Sequence, residues 1–263
     1  MFGRTTRRQQ ILFQVLATII VIPFLFPLVN IVATSFEGAG VVANYTAVIS
    51  KTPFLRFLAN SAIISAGTVA IVFVATMLAA YAFAKLKFRG RSVLFNMILV
   101  GLVLPAIALI VPMFSIVNAL GLFNTHLAVI VPLSAVTIPF TLLLARNYLM
   151  SVPDEILEAA KIDGANTFMT LWRIVIPLAK PIIAVVVVWT FLQSWNEFFL
   201  PLLFLQNVDM QAVTQVPVYF TSTYGSDVPK IFASLVLISL PIVIAYLSLQ
   251  KFFERGLTAG AVK

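Results

Sequence analysis

Long apolar runs separated by short polar stretches dominate the chain: Ile11 to Ala33, Phe57 to Ala84, Val93 to Val117, Leu127 to Leu149, Pro181 to Leu205 and Ile231 to Phe252. Each reaches the length of about 20 residues that a helix needs to cross the hydrocarbon core of a bilayer. Lipid offers no partner to a backbone N–H or C=O, so runs of this length predict helices, whose hydrogen bonds close within the segment. The pattern predicts an all-α integral membrane protein with six transmembrane helices. Prolines recur inside the runs, at Pro23, Pro27, Pro105, Pro112, Pro132, Pro139, Pro201 and Pro241. Each frees a carbonyl one turn back, which predicts that helices three to six bend around a pathway.

One stretch between runs is long and polar yet helix-compatible, Ser151 to Pro181. Ser151 is placed to cap a short helix, Pro153 is tolerated at its start, and Asp154 and Glu155 suit its positive end. Ile156, Leu157, Ala159 and Ala160 give that helix a small apolar side, and Asp163 with Gly164 supplies a stop and a turn. A second amphipathic piece is expected from Phe168 to Ile174.

Composition removes the soluble alternatives. At 61% hydrophobic and 10% charged residues, with mean hydropathy of +1.07, the chain falls far from the roughly 25% charge of soluble domains. Its formal charge of +8 follows the membrane and gives no reason to expect nucleic acid. With the N-terminus inside, 14 of the 17 Lys and Arg residues face inward, leaving Lys51, Arg56 and Lys230 outside. That bias obeys the positive-inside rule and puts the Ser151 to Pro181 loop on the cytoplasmic side. The first run exceeds the core of a cleavable signal and lacks an A-x-A site, so it reads as an uncleaved anchor.

Candidate chemistry is sparse. The chain has no cysteine and a single histidine, His126, which leaves neither a thiolate site nor a histidine pair for a metal. An intramembrane enzyme has almost nothing to be built from. A secondary transporter would need buried ion-coordinating or proton-relay groups, and Glu197 is the one clear intramembrane acid. Gln193, Trp195, Asn196 and Glu197 place hydrogen-bonding groups beside an aromatic face within about one turn, the combination that sugar hydroxyls require. They are the candidate substrate-pathway residues. An interhelical latch or a gate contact is the competing role for them.

Glu158-Ala159-Ala160, then Gly164, then Ile174 and Pro177 resemble the EAA loop of ABC importer permease subunits, with its spacing of EAA, three residues, G, nine residues and I-x-L-P. Ile176 stands where that family usually has leucine, a volume-conserving change. Tyr81 to Arg91, Leu104 to Pro132, Trp195 to Leu205, the C-terminal ERGLTAGAVK, Ala43-Asn44-Tyr45 and Asn60-Ser61 further resemble the MalG-like subunit of sugar importers.

The resemblance implies a MetI-like permease core formed by spans two to six, preceded by one N-terminal helix. Residues 1–34 would be the basic start and first span, and 35–56 an extracytoplasmic loop. Residues 57–253 would be the core, with the coupling loop at 151–180, and 254–263 a cytoplasmic tail. It implies that Glu155, Leu157, Glu158, Ala159, Ala160, Asp163, Gly164 and Ala165 dock on an ATPase, scaffolded by Ile174 and Pro177, and that Gly256, Gly260 and Lys263 contact it through the tail. The implied partners are a second, homologous permease in a heterodimer, two copies of an ATP-binding subunit, an extracytoplasmic sugar-binding protein and membrane lipid. The chain carries no G-x-x-x-x-G-K-[ST] phosphate loop, so ATP and Mg belong to the partner, and no cofactor is expected here. The expected setting is the cytoplasmic membrane of a bacterium or archaeon, with both termini cytoplasmic. A permease for an amino acid, a peptide or a glycerophosphodiester is the nearest alternative.

Overall fold

A computed structural model describes residues 6–222 and 225–259, with side chains through residue 248. The chain divides into two compact units, one from 1–54 with 216–240 and the other from 55–215 with 241–263.

In the first unit, α1 (Arg7–Thr34) opens on a capping box in which Thr6 and Gln9 exchange side-chain and backbone hydrogen bonds. None of its residues is buried. The turn after it is held by α2 (Val41–Lys51), which forms inside the expected 35–56 loop. Buried Asn44 donates Nδ2 to the carbonyls of Ser35 and Glu37 at 3.0 and 2.8 Å, and the Tyr45 hydroxyl lies 2.9 Å from Ser35 Oγ. A two-residue antiparallel pair, β1 (Thr221–Ser222) with β2 (Gly225–Ser226), is a small exception to the expected all-helical fold.

The second unit carries the core. α3 (Phe54–Lys85) matches the second apolar run, and α4 (Arg91–Val100) and α5 (Ile110–Ala119) occupy the third. That run is not one helix. Gly101 caps α4, Pro105 withholds an N–H, and a 3₁₀ turn at Ala106–Leu109 separates the halves. α6 (Leu127–Met150) matches the fourth run and passes through Pro132 and Pro139 unbroken. The Thr137 hydroxyl returns a 2.7 Å bond to the Leu133 carbonyl in the turn before Pro139.

The loop contains α7 (Asp154–Ile162), α8 (Thr167–Thr170), a π-helical stretch Leu171–Val175 and α9 (Ile176–Leu178). α10 (Lys180–Trp195) then begins the fifth run at an 81° bend from Thr167–Leu178. This run also falls short of expectation, because α10 ends at Trp195 and α11 (Phe199–Phe204) follows after a break. α12 (Val228–Ala259) is the last described helix. Among the described residues four helices are long and apolar enough to cross a membrane, or five if the bent pair counts as one span.

α3 and α6 approach closely for a residue-level reason. A Cβ on Gly67 would lie 2.8 Å from Ile130 Cδ1, and the Thr76 and Thr141 hydroxyls meet at 2.8 Å lower in the same seam. Small residues and hydroxyl pairs of this kind hold helices together where lipid supplies no hydrophobic drive. Gly67→Leu therefore forces the pair apart and costs about 1–3 kcal/mol by overpacking. A fall of several degrees in the melting temperature of the detergent-purified protein is the expected readout.

Candidate functional site

The EAA loop is built by local signals. α7 has Asp154 and Glu155 in its first turn and Lys161 in its last, each complementing the helix dipole. Its N-cap is Pro153, which provides no side-chain cap, and the expected capping role of Ser151 is corrected. The Ser151 hydroxyl instead donates to the Tyr148 carbonyl at 2.7 Å, finishing α6. At the other end the Gly164 N–H reaches the Lys161 carbonyl and the Ala165 N–H reaches the Ala160 carbonyl at 2.9 Å, the paired bonds of a Schellman motif. Gly164 sits at φ +82°, the left-handed region that makes this stop possible. Asn166 then caps α8 by accepting the Met169 N–H at 2.8 Å.

The apolar side expected of α7 divides between two directions. Leu157 and Ala160 are buried, with Leu157 in the core that holds Met77, Ala80 and Tyr81 of α3. Glu155, Ile156, Glu158 and Ala159 face out, and Ile162 is 87% exposed. Asp163 and Gly164 are exposed as well, Ala165 and Ile174 are half-buried, and Pro177 is exposed. Phe168 and Trp172, with tilted rings whose centres lie 5.9 Å apart, extend the outward surface. An uncovered strip mixing acid, small residues and aromatics is suited to a protein partner.

The loop is tied back to the helices by polar groups that sequence reasoning counted only as topology charges. Lys85, the last residue of α3, sends Nζ to the Val152 carbonyl at 2.5 Å and to Asp154 Oδ1 at 2.7 Å. The lysine hydrogen bond, reinforced by the charges of Lys85, Lys87 and Lys161, holds the Asp154 carboxyl below its ordinary range. A carboxylate whose pKa is depressed keeps its partner at neutral pH and releases it as the pH falls through the lowered value. The Arg146 guanidinium lies 4.2 Å over the Phe95 ring, and its Nε donates to the Phe83 carbonyl at 3.4 Å.

The candidate pathway residues stand at the break between α10 and α11. Gln193 and Asn196 are exposed, whereas Trp195 is 4% exposed and packs its ring, tilted, 5.5 Å from that of Phe191. Glu197 Oε1 accepts the Leu200 N–H at 3.0 Å and so caps α11. The Thr214 hydroxyl takes the Glu197 carbonyl at 2.9 Å, and the Gln215 amide takes the Phe198 carbonyl at 3.0 Å. The break is thus a stitched elbow. Glu197 also lines a cavity of about 240 Å³ with Ala106, Ile110, Met113 and Leu133, which joins it to the broken third run. The tryptophan turns inward, away from Gln193 and Asn196, so the four residues do not present one face.

A second polar cluster pins the segment after α11. Asn60 Nδ2 donates to the carbonyls of Asp209 and Gln211, both at 2.9 Å, and Ser61 Oγ accepts the Val213 N–H at 2.8 Å. Arg56 pairs with Asp209. Asn124, at φ +61°, accepts the Asn207 N–H at 2.8 Å and donates its own N–H to the Phe204 carbonyl. Asparagine tolerates the left-handed region, and its place between Gly121 and His126 is the local signal that could have marked this turn. Burial lowers the His126 pKa, keeping the ring neutral at pH 7. Of the tail residues, Gly256 lies within the helical backbone of α12, while Gly260 and Lys263 fall outside the described residues.

The chain is similar to known proteins in both sequence and fold. Residues 71–259 match the family described as the binding-protein-dependent transport system inner membrane component. A probable ABC transporter permease protein, YurM of Bacillus subtilis, is 34% identical, covering 79% of this chain and 69% of that protein. The trehalose/maltose transport system permease protein MalG of Thermococcus litoralis is 31% identical, covering 97% of this chain and 99% of that protein. A chain in the crystal structure of a bacterial ABC transporter importing the acidic polysaccharide alginate superposes with TM-score 0.79 at 25% identity, covering 96% of this chain and 99% of that one.

Proposed function

Because the chain belongs to the family of binding-protein-dependent transport system inner membrane components, we propose that it lines the path of a carbohydrate and is driven through its EAA loop by ATP hydrolysis on a partner. It is an ABC importer permease subunit of the inner membrane, not an enzyme. The observation that carries the coupling role is the outward strip of α7. Glu155, Glu158 and Ala159 face out from a helix whose other side, Leu157 and Ala160, is buried, with Leu157 in the core.

In this reading an ATPase subunit seats on α7, with Leu157 and Ala160 as the anchor, Glu158 as the charged contact and Gly164 as the hinge. Ile174 and Pro177 hold the return segment. Six crossings follow if α4 with α5 and the bent Thr167–Trp195 segment each count as one span. An even number places both termini on the side of the loop, and the positive-inside bias makes that side cytoplasmic. The assembly we propose has this chain beside a second, distinct permease, with two ATP-binding subunits below, where ATP and Mg are held, and a solute-binding protein above. The tail from Gly256 to Lys263 is proposed to reach the ATPases.

Carbohydrate as the cargo is supported by the maltose and alginate relatives and by the amide and carboxylate groups of Gln193, Asn196 and Glu197 around the elbow. Movement of α7 would shift the cytoplasmic ends of the helices as rigid bodies and alternate access to the path. Uptake by proteoliposomes holding the assembled complex, its binding protein and ATP tests the cargo directly. Accumulation of at least one labelled oligosaccharide from a panel is expected. Accumulation of only an amino acid, a peptide or a glycerophosphodiester would overturn the carbohydrate reading.

A further inference from the structure

We propose that Lys85 is a positioning residue, a buried ammonium that fixes the first turn of α7 to the end of α3, so that displacement of the coupling helix reaches α3 through a side chain. The proposal rests on the coupling role assigned to α7 above.

α7 is joined by backbone to α6 on one side and, through Ala165 to Ala179, to α10 on the other. It has no covalent neighbour in α3, from which Asp154 is separated by 69 residues at its contact with Lys85. Two things bridge the gap. Leu157 shares an apolar core with Met77, Ala80 and Tyr81, and Lys85 bonds both Val152 and Asp154. Apolar packing is non-directional and tolerates sliding. A charged hydrogen bond sets distance and direction, and is the stronger kind.

The placement of Lys85 is unusual for its type, with a side chain only 6% exposed while its partner Asp154 is 74% exposed. An ammonium withdrawn from water must be hydrogen-bonded to be tolerated, so the Val152 carbonyl and the Asp154 carboxylate are obligatory partners. The Val152 carbonyl belongs to the linker between α6 and α7, and Asp154 to α7 itself. The single ammonium therefore reads both the linker and the first helical turn. It also sits at a helix C-terminus, where a cation opposes the dipole favourably. Arg146, bonded to the Phe83 carbonyl and stacked on Phe95, joins the same end of α3 to α6 and α4.

The test is transport per ATP hydrolysed, together with the amount of ATPase retained, in the reconstituted complex carrying Lys85→Met, Asp154→Asn, both together, or Glu158→Ala. Lys85→Met keeps the stem and removes the donors. It should lower the ratio of transport to hydrolysis about tenfold, equivalent to ~1.4 kcal/mol of coupling. Asp154→Asn should lower it less, since the Val152 bond survives, and the double variant should fall no further than Lys85→Met. A role in folding alone would lower transport and hydrolysis together and leave the ratio unchanged, which overturns the proposal. An unchanged ratio in Lys85→Met beside a lowered one in Glu158→Ala removes Lys85 while leaving the coupling loop in place. Unchanged ratios in both remove the coupling-loop reading and this proposal with it.

Discussion

Gly164→Val is expected to abolish most substrate-stimulated ATP hydrolysis in the assembled complex, and Gly164→Asn to retain most of it. The residue stands at φ +82°, and a Cβ added there meets nothing within 4 Å. Any loss therefore comes from the backbone and not from a clash. An ordinary side chain in the left-handed region costs roughly 1–2 kcal/mol, more for a β-branched one, while asparagine pays little. Relief of that strain unwinds the Schellman bonds from Gly164 to Lys161 and from Ala165 to Ala160, and the outward strip of α7 loses its fixed end. Each ~1.4 kcal/mol of that strain shifts the equilibrium about tenfold away from the docking-competent shape. Hydrolysis should fall about tenfold or more in the valine variant and less than about threefold in the asparagine variant. Equal losses in both would place the effect in surface chemistry and not in backbone geometry.

Asn60→Leu is expected to release the segment after α11. The Asn60 amide spends both of its N–H groups on the carbonyls of Asp209 and Gln211, and the residue is 5% exposed. Leucine of similar size leaves two carbonyls without a donor, at about 1–3 kcal/mol each. Ser61→Ala removes one bond from the same strap, to the Val213 N–H, and should do less. Amide hydrogen exchange across residues 206–213 reports the difference, because local opening free energy sets the exchange rate. A rise of more than about tenfold is expected for Asn60→Leu, with a smaller rise for Ser61→Ala.

How far the sequence could be read depended on whether the controlling signal was local. The first, second, fourth and sixth apolar runs became α1, α3, α6 and α12 with ends shifted by a few residues, because length and hydropathy suffice where lipid is the solvent. The third and fifth runs were equally apolar but not continuous. Hydropathy reports composition and is blind to the hydrogen-bond ladder, which Gly101 with Pro105 interrupts in one run and Asn196 to Phe198 in the other. The EAA loop was legible because acids at a helix start and a glycine after its end are local marks. The cap falls elsewhere than at Ser151, since Ser151 completes α6 and Pro153, at ψ 137°, takes the N-cap position of α7.

The ties that hold the site could not be read from the chain. Asn60 and Asp209 are 149 residues apart, and Lys85 and Val152 are 67 apart. Nothing in the neighbourhood of either residue announces its partner. The orientation of Trp195 is of the same kind: an aromatic beside polar groups looks like a sugar platform in sequence, while the ring is buried against Phe191. Glu197 acquired a role that spacing alone did not suggest, capping the short helix after the break.

In the proposed mechanism the permease passes a carbohydrate delivered from outside and is coupled through α7 to a partner ATPase. The most direct measurement is ATP hydrolysis by the purified complex in lipid nanodiscs, with its solute-binding protein added empty or loaded with sugar, for wild type and Glu158→Ala. Stimulation by the loaded binding protein in wild type, lost in Glu158→Ala while the ATPase subunits remain bound, is the predicted result. Hydrolysis indifferent to the loaded binding protein, or stimulated equally in both forms, would contradict it.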